Sequence, residues 1–294
     1  MRLRSLHRAN PRAKGLAVDW GDCRVTISLA TWNINSVRLR MPIVTRFLEE
    51  NNPDVLCLQE TKCRDSEFPF GDLRKAGYEH IAINGQKGYH GVAIVSKLPF
   101  AAIDKREFCQ KGDARHLGVT FAPGVADADA LTIHNFYVPA GGDEPDPEIN
   151  DKFAHKLAFI DEMAAWFKKD RPGKERAVLV GDLNVAPLEH DVWSHKALLG
   201  VVSHTAVEVE KFTKARHAGD WHDALRHFTP DGEKLYTWWS YRSSDWAAAN
   251  KGRRLDHVWL SASLAPRLAG MTVFKDVRGW DRPSDHVPVM VRLA

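Results

Sequence analysis

The sequence predicts an α/β fold built as one large domain, and three observations lead to that prediction. Short runs rich in β-branched and apolar residues, of which Ala177–Val180 is the clearest, have the composition of buried strands. Between Asp151 and Lys169, apolar side chains recur every three or four residues, which indicates a long amphipathic helix. A chain of 294 residues, 44% of them hydrophobic, can bury one sizeable core.

The predicted strands share short β-branched or apolar runs bounded by turn-forming residues. In chain order they are Val25–Thr31, Asp54–Leu58, Tyr78–Asn84, Gly91–Ser96, Leu131–Val138, Ala177–Val180, Leu235–Tyr241, Leu255–Leu260 and Val287–Leu293. Apolar residues at helical spacing predict a further helix after Arg40 that ends near Pro53. The region between His190 and Phe228 has a helical and polar pattern.

Composition and charge exclude several classes of protein. The chain has 41 basic and 38 acidic residues, a net charge of +3, so only local patches could indicate nucleic-acid binding. Its four cysteines show no zinc-type spacing and are too few for a disulfide framework, which favours a reducing cytoplasm. No apolar run approaches the length needed to cross a bilayer, so no membrane partner is expected.

The first residues differ in composition from the rest. Five basic residues precede the first acidic one, Asp19, and neither an apolar helical face nor a secretory apolar segment accompanies them. We therefore interpret residues 1–24 as a disordered basic tail, or as the product of an upstream start codon, rather than as a targeting signal. Residues 25–294 are predicted to form a single catalytic domain.

Polar side chains follow several of the predicted strands. Asp182 and Asn184 come directly after Ala177–Val180, and Asn33 and Asn35 follow the first strand in the same spacing. In an extended segment, side chains two residues apart point to the same face, so each pair could hold a water, a metal or a phosphate oxygen. The alternative is that these residues only end a strand and begin a turn.

Two further side chains stand at strand ends. Glu60 follows a buried apolar strand, which is an unusual place for an exposed charge and favours a ligand role. Tyr137 lies near the end of Leu131–Val138, where its phenol could reach a shared site or its ring could pack in the core. Both alternatives remain open from the segment alone.

Several of these groups together predict a metal site. The residues at or beside strand ends are Asn33, Glu60, Asp182, Asn184, Asp256, Asp285 and His286. Two carboxylates ~4 Å apart repel by about 4 kcal/mol at an effective dielectric constant of about 20, so four in one place need a cation or added protons. An oxygen-rich set without thiolates favours Mg²⁺ or Mn²⁺ over zinc, and with it metal-assisted phosphoryl chemistry.

An ordered series of motifs carries a family resemblance. The motifs are Trp32-Asn33-Ile34-Asn35, Gln59-Glu60-Thr61-Lys62, Gly85-Gln86-Lys87-Gly88 with Gly91-Val92-Ala93, Gly181-Asp182-Leu183-Asn184, Trp238 with Tyr241-Arg242, Leu255-Asp256, and Ser284-Asp285-His286-Val287-Pro288-Val289. From about Ile27 to the C-terminus the chain resembles the exonuclease III family of abasic-site endonucleases, within the endonuclease/exonuclease/phosphatase superfamily. The resemblance implies a four-layer α/β sandwich, with two mixed β-sheets packed face to face and helices outside.

The resemblance also implies residue roles. Glu60 would be the principal Mg²⁺ ligand with Asn33 and Asp285 nearby, and Mn²⁺ could substitute. Asp182 would orient or deprotonate the attacking water, and Tyr137 would assist near the phosphate or the leaving oxygen. Three further residues complete the site: Asn184 would hold the scissile phosphate, His286 would donate to a phosphoryl oxygen, and Asp256 would pair with His286. The implied metal environment also takes in Asp182, Asn184 and His286.

The implied substrate is double-stranded DNA with abasic sites or blocked 3′ ends, bound by a monomer. The implied activities are Mg²⁺-dependent cleavage 5′ to the abasic site, 3′→5′ exonuclease activity and 3′-end cleaning. Candidate substrate contacts are Asn35, Lys62, Lys87, Trp238, Arg253 and Arg254. The loop Ala140–Gly142 departs from the family because it lacks a long polar side chain. This difference affects how firmly the damaged duplex would be held and the ratio of endonuclease to exonuclease activity.

Two other functions compete with this interpretation. A phosphatase of the same superfamily, acting on phosphoinositides or nucleotides, would use the same metal cluster with a different rim. The tryptophan pair Trp238-Trp239 and the basic cluster before Asp256 argue against it. A catalytically silent DNA-binding module would be expected to lack one of the site residues, yet Glu60, Asp182 and His286 are all present.

Overall fold

The computed structural model describes residues 27–170 and 172–294 of the chain. The predicted basic tail, residues 1–24, lies outside the described residues. The strands are β1 (Ile27–Asn33), β2 (Val55–Gln59), β3 (His80–Asn84), β4 (Val92–Ser96), β5 (Ala102–Asp104), β6 (His116–Phe121), β7 (Leu131–Tyr137), β8 (Ala177–Asp182), β9 (His222–Asp223), β10 (Trp238–Trp239), β11 (Gly252–Arg253), β12 (Asp256–Leu260), β13 (Leu268–Val273) and β14 (Val289–Leu293). The α-helices are α1 (Val37–Asn51), α2 (Phe70–Lys75), α3 (Asp151–Asp170), α4 (His195–Leu198), α5 (Ala206–Ala218), α6 (Ala224–Phe228) and α7 (Trp246–Ala249).

Two six-stranded sheets form the centre of the fold. Their strand orders are β13-β14-β1-β2-β4-β3 and β5-β6-β7-β8-β12-β9. Each sheet has one parallel pair, β1 with β2 and β7 with β8, among antiparallel neighbours. Both sheets are therefore mixed, as expected.

The sheets pack face to face, and the helices lie outside them. The central core joins side chains of both sheets, such as Leu29 and Ile94 of the first with Ile133 and Val180 of the second. The alternate face of the first sheet packs on α1, where Phe47 is fully buried. The alternate face of the second sheet packs on α3 and α5. The predicted four-layer sandwich is confirmed.

Alternation of side chains along each strand explains this layering. In β1, Leu29 belongs to the core between the sheets, while Ala30 and Trp32 belong to the core under α1. Successive side chains of a strand point to opposite faces, so a strand buried on both sides must be apolar at nearly every position. The near-continuous apolar runs of the sequence follow from this double burial.

Two predicted elements differ from the structure. The expected strand Leu235–Tyr241 is mostly irregular, and only Trp238–Trp239 pairs, with β11, in a small ribbon outside both sheets. The region between His190 and Phe228 contains helices, as predicted, but also β9, which pairs with the edge of the second sheet. By contrast, the helix predicted for Asp151–Lys169 is α3 and extends one residue further.

Candidate active site at the shared edge of the two sheets

Strand direction brings the polar strand ends to one edge of the sandwich. β1 and β2 are parallel, so Asn33 and Gln59 end side by side. β8 is parallel to β7, and Asp182 lies beside Tyr137. Antiparallel strands reach the same edge at their beginnings, and Asp256 at the start of β12 pairs with Asp182. Residues that are far apart in sequence therefore meet for topological reasons.

Glu60 is held as a carboxylate by three donors. Its Oε1 accepts hydrogen bonds from Asn33 Nδ2 at 2.9 Å and Tyr137 Oη at 2.7 Å. Its Oε2 lies 2.7 Å from Lys62 Nζ. Burial alone would raise the pKa of Glu60, but the charge of Lys62 and these hydrogen bonds lower it below its ordinary value. Glu60 is therefore ionised near neutral pH.

Asp182 is a buried carboxylate with the opposite tendency. It is 1% exposed, and its Oδ2 accepts from Asn33 Nδ2 at 2.8 Å. Burial, with the nearby charges of Asp256 and Glu60, raises its pKa to about 7, although His286 and Asn33 oppose the shift. A carboxylate that titrates near neutrality can exchange a proton there, which suits a general base.

His286 and Asp256 form a buried charged pair. His286 Nδ1 lies 2.8 Å from Asp256 Oδ2, and Nε2 lies 3.6 Å from Asp182 Oδ2. Burial disfavours the imidazolium, but Asp256 and then Asp182 outweigh it and raise the pKa of His286 to about 10. His286 is therefore a cation whose Nε2 side faces Asp182, placed to donate to an anion.

Tyr137 and Asn184 complete the cluster. The phenol pKa of Tyr137 is raised well above its ordinary value by burial and by Glu60 and Asp182, so the hydroxyl keeps its proton. Asn184 Nδ2 donates to Val138 O at 2.8 Å and to Asp182 Oδ2 at 3.1 Å. Both amide hydrogens of Asn184 are engaged. A phosphate oxygen bound to this amide would therefore share the hydrogen that Asn184 now donates to Asp182.

The turns after the strands are left-handed, which the sequence did not indicate. Asn35, Glu60 and Asn184 have φ values of 47°, 51° and 54°. The extended i, i+2 geometry expected for the two polar pairs is therefore wrong in detail, since the second residue of each pair has left the strand. Asn35 and Asn184 instead use an Asx-type turn, with their N–H groups donating to Asn33 and Asp182 at 3.0 Å each.

A cleft of about 760 Å³ opens beside this cluster, and Glu60, Asp182 and Asp285 all line it. Trp238 forms part of its wall, and its indole N–H donates to Asp285 Oδ2 at 2.9 Å. The neighbouring Trp239 also lines the cleft, although it is only 2% exposed, so the expectation that only one of the two tryptophans would reach the cleft is not met. Arg253 lies over the Trp238 ring, 5.3 Å from its centroid.

The other predicted substrate contacts divide into three groups. Asn35 and Lys62 belong to the cluster, since Lys62 Nζ donates to Asn35 Oδ1 at 2.7 Å and Asn35 Nδ2 donates to Asp285 Oδ1 at 3.1 Å. Lys87 is exposed on the loop between β3 and β4. The prediction for Arg254 is wrong.

Arg254 faces the interior instead of the substrate. It is fully buried and donates to Asp191 Oδ2 at 2.9 Å and Asp223 Oδ2 at 2.6 Å. Consecutive residues entering a strand face opposite sides, so only Arg253 of the basic pair reaches the cleft. Arg254 is a structural cation for two buried carboxylates.

The donor set fits a hard divalent cation. Asp182, Asp256 and His286 place ligand atoms within 4.8 Å of one another, but the His286 nitrogen next to Asp256 is occupied by that hydrogen bond and the imidazole carries a proton. The oxygens of Glu60 and Asp285 are the better candidates, because both residues line the cleft and the pKa of each carboxyl is lowered. Carboxylate and amide oxygens without thiolates suit Mg²⁺ or Mn²⁺.

Sequence reasoning missed the residues that support the site. Asn135 and Gln59 join the sheets, with Gln59 Nε2 donating to Asn135 Oδ1 at 2.7 Å. Lys156 is fully buried and donates to the carbonyl of Asn184 at 2.7 Å. The available signal was a lysine on the apolar face of a helix, three residues after Phe153 and four before Ile160.

Comparisons with known proteins cover nearly all of the chain. A model of the Endonuclease/Exonuclease/phosphatase family matches residues 30–286. Exodeoxyribonuclease III of Haemophilus influenzae is 29% identical over 265 residues, which cover 88% of this chain and 97% of that relative.

Solved structures show the same likeness in three dimensions. An AP endonuclease from Archaeoglobus fulgidus superposes with a TM-score of 0.82 at 30% identity, over 91% of this chain and 99% of that one. A 3′ phosphatase from Neisseria, solved with a product DNA hairpin, superposes with a TM-score of 0.81 at 28% identity and the same coverage. Across residues 27–170 and 172–294, no helix has the length and apolarity that a bilayer crossing requires.

Proposed function

Because the chain belongs to the Endonuclease/Exonuclease/phosphatase family, and within it to the exonuclease III-like abasic-site (AP) endonucleases, we propose that it is a DNA-repair phosphodiesterase. It hydrolyses the backbone of double-stranded DNA 5′ to abasic sites with Mg²⁺ as cofactor and Mn²⁺ as a substitute. It also removes nucleotides and blocking groups from 3′ ends, an activity favoured by the likeness to a 3′ phosphatase. The enzyme acts as a cytoplasmic monomer.

The observation that carries the proposal is the arrangement around Asn33. Its single amide nitrogen donates both to Glu60 and to Asp182, at 2.9 and 2.8 Å. Glu60 is thus kept ionised, whereas Asp182 has a pKa of about 7. Two carboxyl groups with separated pKa values, next to a protonated His286, divide the tasks of charge stabilisation and proton transfer.

In this proposal Asp182 accepts a proton from the attacking water. The water oxygen forms a bond to phosphorus, and the bond from phosphorus to the 3′ oxygen of the preceding nucleotide breaks. His286 donates from Nε2 to a phosphoryl oxygen that gains negative charge, and Asp256 keeps the imidazole protonated and oriented. Asn184 holds the phosphate, and Tyr137, whose hydroxyl stays protonated, donates a hydrogen bond near the leaving 3′ oxygen. That oxygen takes up a proton from water, so that the products are a 3′ hydroxyl and a 5′ phosphate, and Asp182 returns its proton to solvent.

Glu60 and Asp285 would hold the Mg²⁺, with Asn33 beside them. The bound cation would neutralise part of the negative charge of the phosphodiester, which otherwise hinders attack by water. Lys62 competes for the same carboxylate, since its Nζ lies 2.7 Å from Glu60 Oε2. Lys62 would then have to release Glu60, either by keeping only its present contact with Asn35 Oδ1, at 2.7 Å, or by turning to a phosphate of the DNA.

Recognition of the lesion falls to the wall of the cleft. Trp238 offers an aromatic surface for a deoxyribose turned out of the helix, and a nucleotide without its base loses little stacking when it swings out. Arg253, Lys62 and Lys87 supply positive charge for backbone phosphates, which position the duplex without reading its sequence.

The decisive experiment uses a labelled duplex with one synthetic abasic site, beside an intact duplex and an inositol phosphate. We expect Mg²⁺-dependent incision at the abasic site, loss of activity in EDTA and rescue by Mg²⁺. Incision in the presence of chelator would exclude the metal mechanism. Hydrolysis of the inositol phosphate alone would replace the proposal by the phosphatase alternative.

A further inference from the structure

A buried ion pair lies directly behind the site, between α3 and α5. Lys156 of α3 and Glu208 of α5 are both fully buried and in direct contact. Lys156 Nζ also donates to Asn184 O at 2.7 Å and to Ala140 O at 3.3 Å. The ammonium group is thus bound to the backbone of the residue proposed to hold the phosphate.

Glu208 holds the segment at Ser203, which also lines the cleft. Its two oxygens accept the N–H of Ser203 at 2.9 Å each, and Oε2 accepts the Thr205 hydroxyl at 2.7 Å. Ser203 has a φ of 88°, a conformation that is strained for a serine and persists only where its surroundings enforce it. Glu208 supplies that enforcement.

Ser203 in turn fixes Arg253. Arg253 Nη1 donates to Ser203 Oγ at 2.8 Å and to Val202 O at 2.9 Å, and its guanidinium lies over Trp238. A continuous set of contacts therefore runs from Asn184 through Lys156, Glu208 and Ser203 to Arg253. Both of its ends line the same cleft.

A buried ion pair is a poor source of stability, because desolvation of the two charges offsets their attraction. Apolar side chains in the same place would hold α3 against α5 at least as well. What they could not provide is a donor for the Asn184 and Ala140 carbonyls together with an acceptor for the Ser203 N–H.

We propose that Lys156 and Glu208 are positioning residues that set the distance between the phosphate-holding loop at Asn184 and the cleft wall at Ser203 and Arg253. This inference rests on the proposed function. The pair touches no substrate, and it acts by fixing the two walls before the DNA binds.

The test replaces the pair by neutral groups of similar size, Lys156→Met together with Glu208→Gln, so that no lone charge remains buried. The matched control is Lys211→Met with Asp161→Asn. It removes a more exposed ion pair between the same two helices, in which Lys211 Nζ lies 2.6 Å from Asp161 Oδ2. We expect the first double variant to keep its melting temperature within a few degrees of the control. Its kcat for abasic-site incision should fall about 10- to 100-fold and its KM should rise, because small displacements of a positioning group cost that much.

A single variant tests the cleft wall separately and does not depend on how well the double variant folds. Glycine tolerates the φ of Ser203, so Ser203→Gly should fold at least as stably as the parent. It removes the hydroxyl that holds Arg253. We expect KM to rise roughly 3- to 10-fold and kcat to stay within about twofold, because the lost interaction stabilises the bound substrate and the transition state equally.

The outcomes distinguish this inference from the proposed function. An active parent whose double variant is folded and has unchanged kcat and KM would refute the positioning role alone. The same loss in the control pair would reduce the effect to general helix packing, and an unchanged KM in Ser203→Gly would refute the cleft-wall half. A parent without nuclease activity would overturn both proposals.

Discussion

The proposed general-base role of Asp182 can be tested directly by substitution. We expect Asp182→Asn to lower kcat by about 10²- to 10⁴-fold, the usual contribution of a general base. Affinity for an abasic duplex, measured in EDTA, should stay within a few-fold of the parent because the amide preserves shape. Asp161→Asn, the same chemical change at an exposed ion pair, is the control and should leave kcat unchanged. Incision at the parent rate by the Asp182 variant would remove Asp182 from the reaction.

Two adjacent arginines give opposite predictions. Arg254→Met should lower the free energy of unfolding by about 3–5 kcal/mol, because it leaves Asp191 and Asp223 with one fewer buried partner. Arg253→Met should cost much less stability but weaken duplex binding, and it should lower the salt dependence of log Kd by about one counterion. Urea titrations and binding isotherms at several salt concentrations measure the two effects. Equal losses of affinity in both variants would contradict the assignment of Arg254 to the interior.

The sequence indicated the chemistry of the site better than its geometry. Glu60 and Asp182 could be found because charged residues at the ends of apolar strands are conspicuous. Arg254 was misplaced because a basic cluster looks the same whether its members face water or a buried carboxylate. Lys156 was missed although its position on the apolar face of α3 was visible in the sequence, since a single lysine at an apolar position does not show which groups it meets inside the fold.

At the scale of the secondary-structure elements, Gly181 lies in β8 directly before Asp182 and allows β8 to pack closely against β7 there. Its φ is 140°, and a Cβ at this residue would lie 1.9 Å from the carbonyl oxygen of Phe136 on β7. We expect Gly181→Ala to separate the two strands, to destabilise the fold by roughly 3 kcal/mol or more, and to lower kcat in the molecules that remain folded.

The control for this substitution is Gly200→Ala, where a Cβ would meet no atom within 4 Å. Its thermal midpoint and kcat should match those of the parent. A Gly181→Ala protein with normal stability would show that β7 and β8 can separate freely at this point.

The elements also show where prediction succeeds. The helix α3 and the strands that lie between two layers carry strong periodic or continuous apolar patterns, and their bounds agree with expectation within a few residues. The ribbon of β10 and β11 could not be foreseen, because its two-residue strands are fixed by bridges to Val192 and His286, which are distant in sequence, rather than by local preference. The left-handed turns at Asn35, Glu60 and Asn184 likewise depend on hydrogen bonds to distant segments.

At the scale of the whole molecule, buried neutral histidines make stability depend on pH. Burial and the nearby charge of Arg254 lower the pKa of His257 from 6.5 to about 3. Below pH 6.5 the unfolded chain takes up a proton that the folded protein excludes, so this contribution is complete above pH 6.5 and is lost as pH falls toward 3.

The variant His257→Gln isolates that contribution, because a glutamine amide can still donate to Val185 O, the partner of His257 Nε2 at 2.8 Å. Between pH 7.5 and 5 we expect the parent to lose about 2 kcal/mol more stability than the variant, as measured by urea unfolding. Parallel stability curves for the two proteins would show that folding does not lower the pKa of His257.

The amide contact between Gln59 and Asn135 has a consequence for how activity is acquired. Asn135 also donates to Leu58 O and Ala93 O, at 3.0 and 2.9 Å, so one side chain of the second sheet closes three hydrogen bonds on the first. Glu60 follows one sheet and Asp182 ends the other, and neither sheet alone carries a reactive centre. A refolding chain should consequently regain incision only when its halves dock in register, which makes the recovery of cleavage a kinetic marker for the last tertiary step of folding.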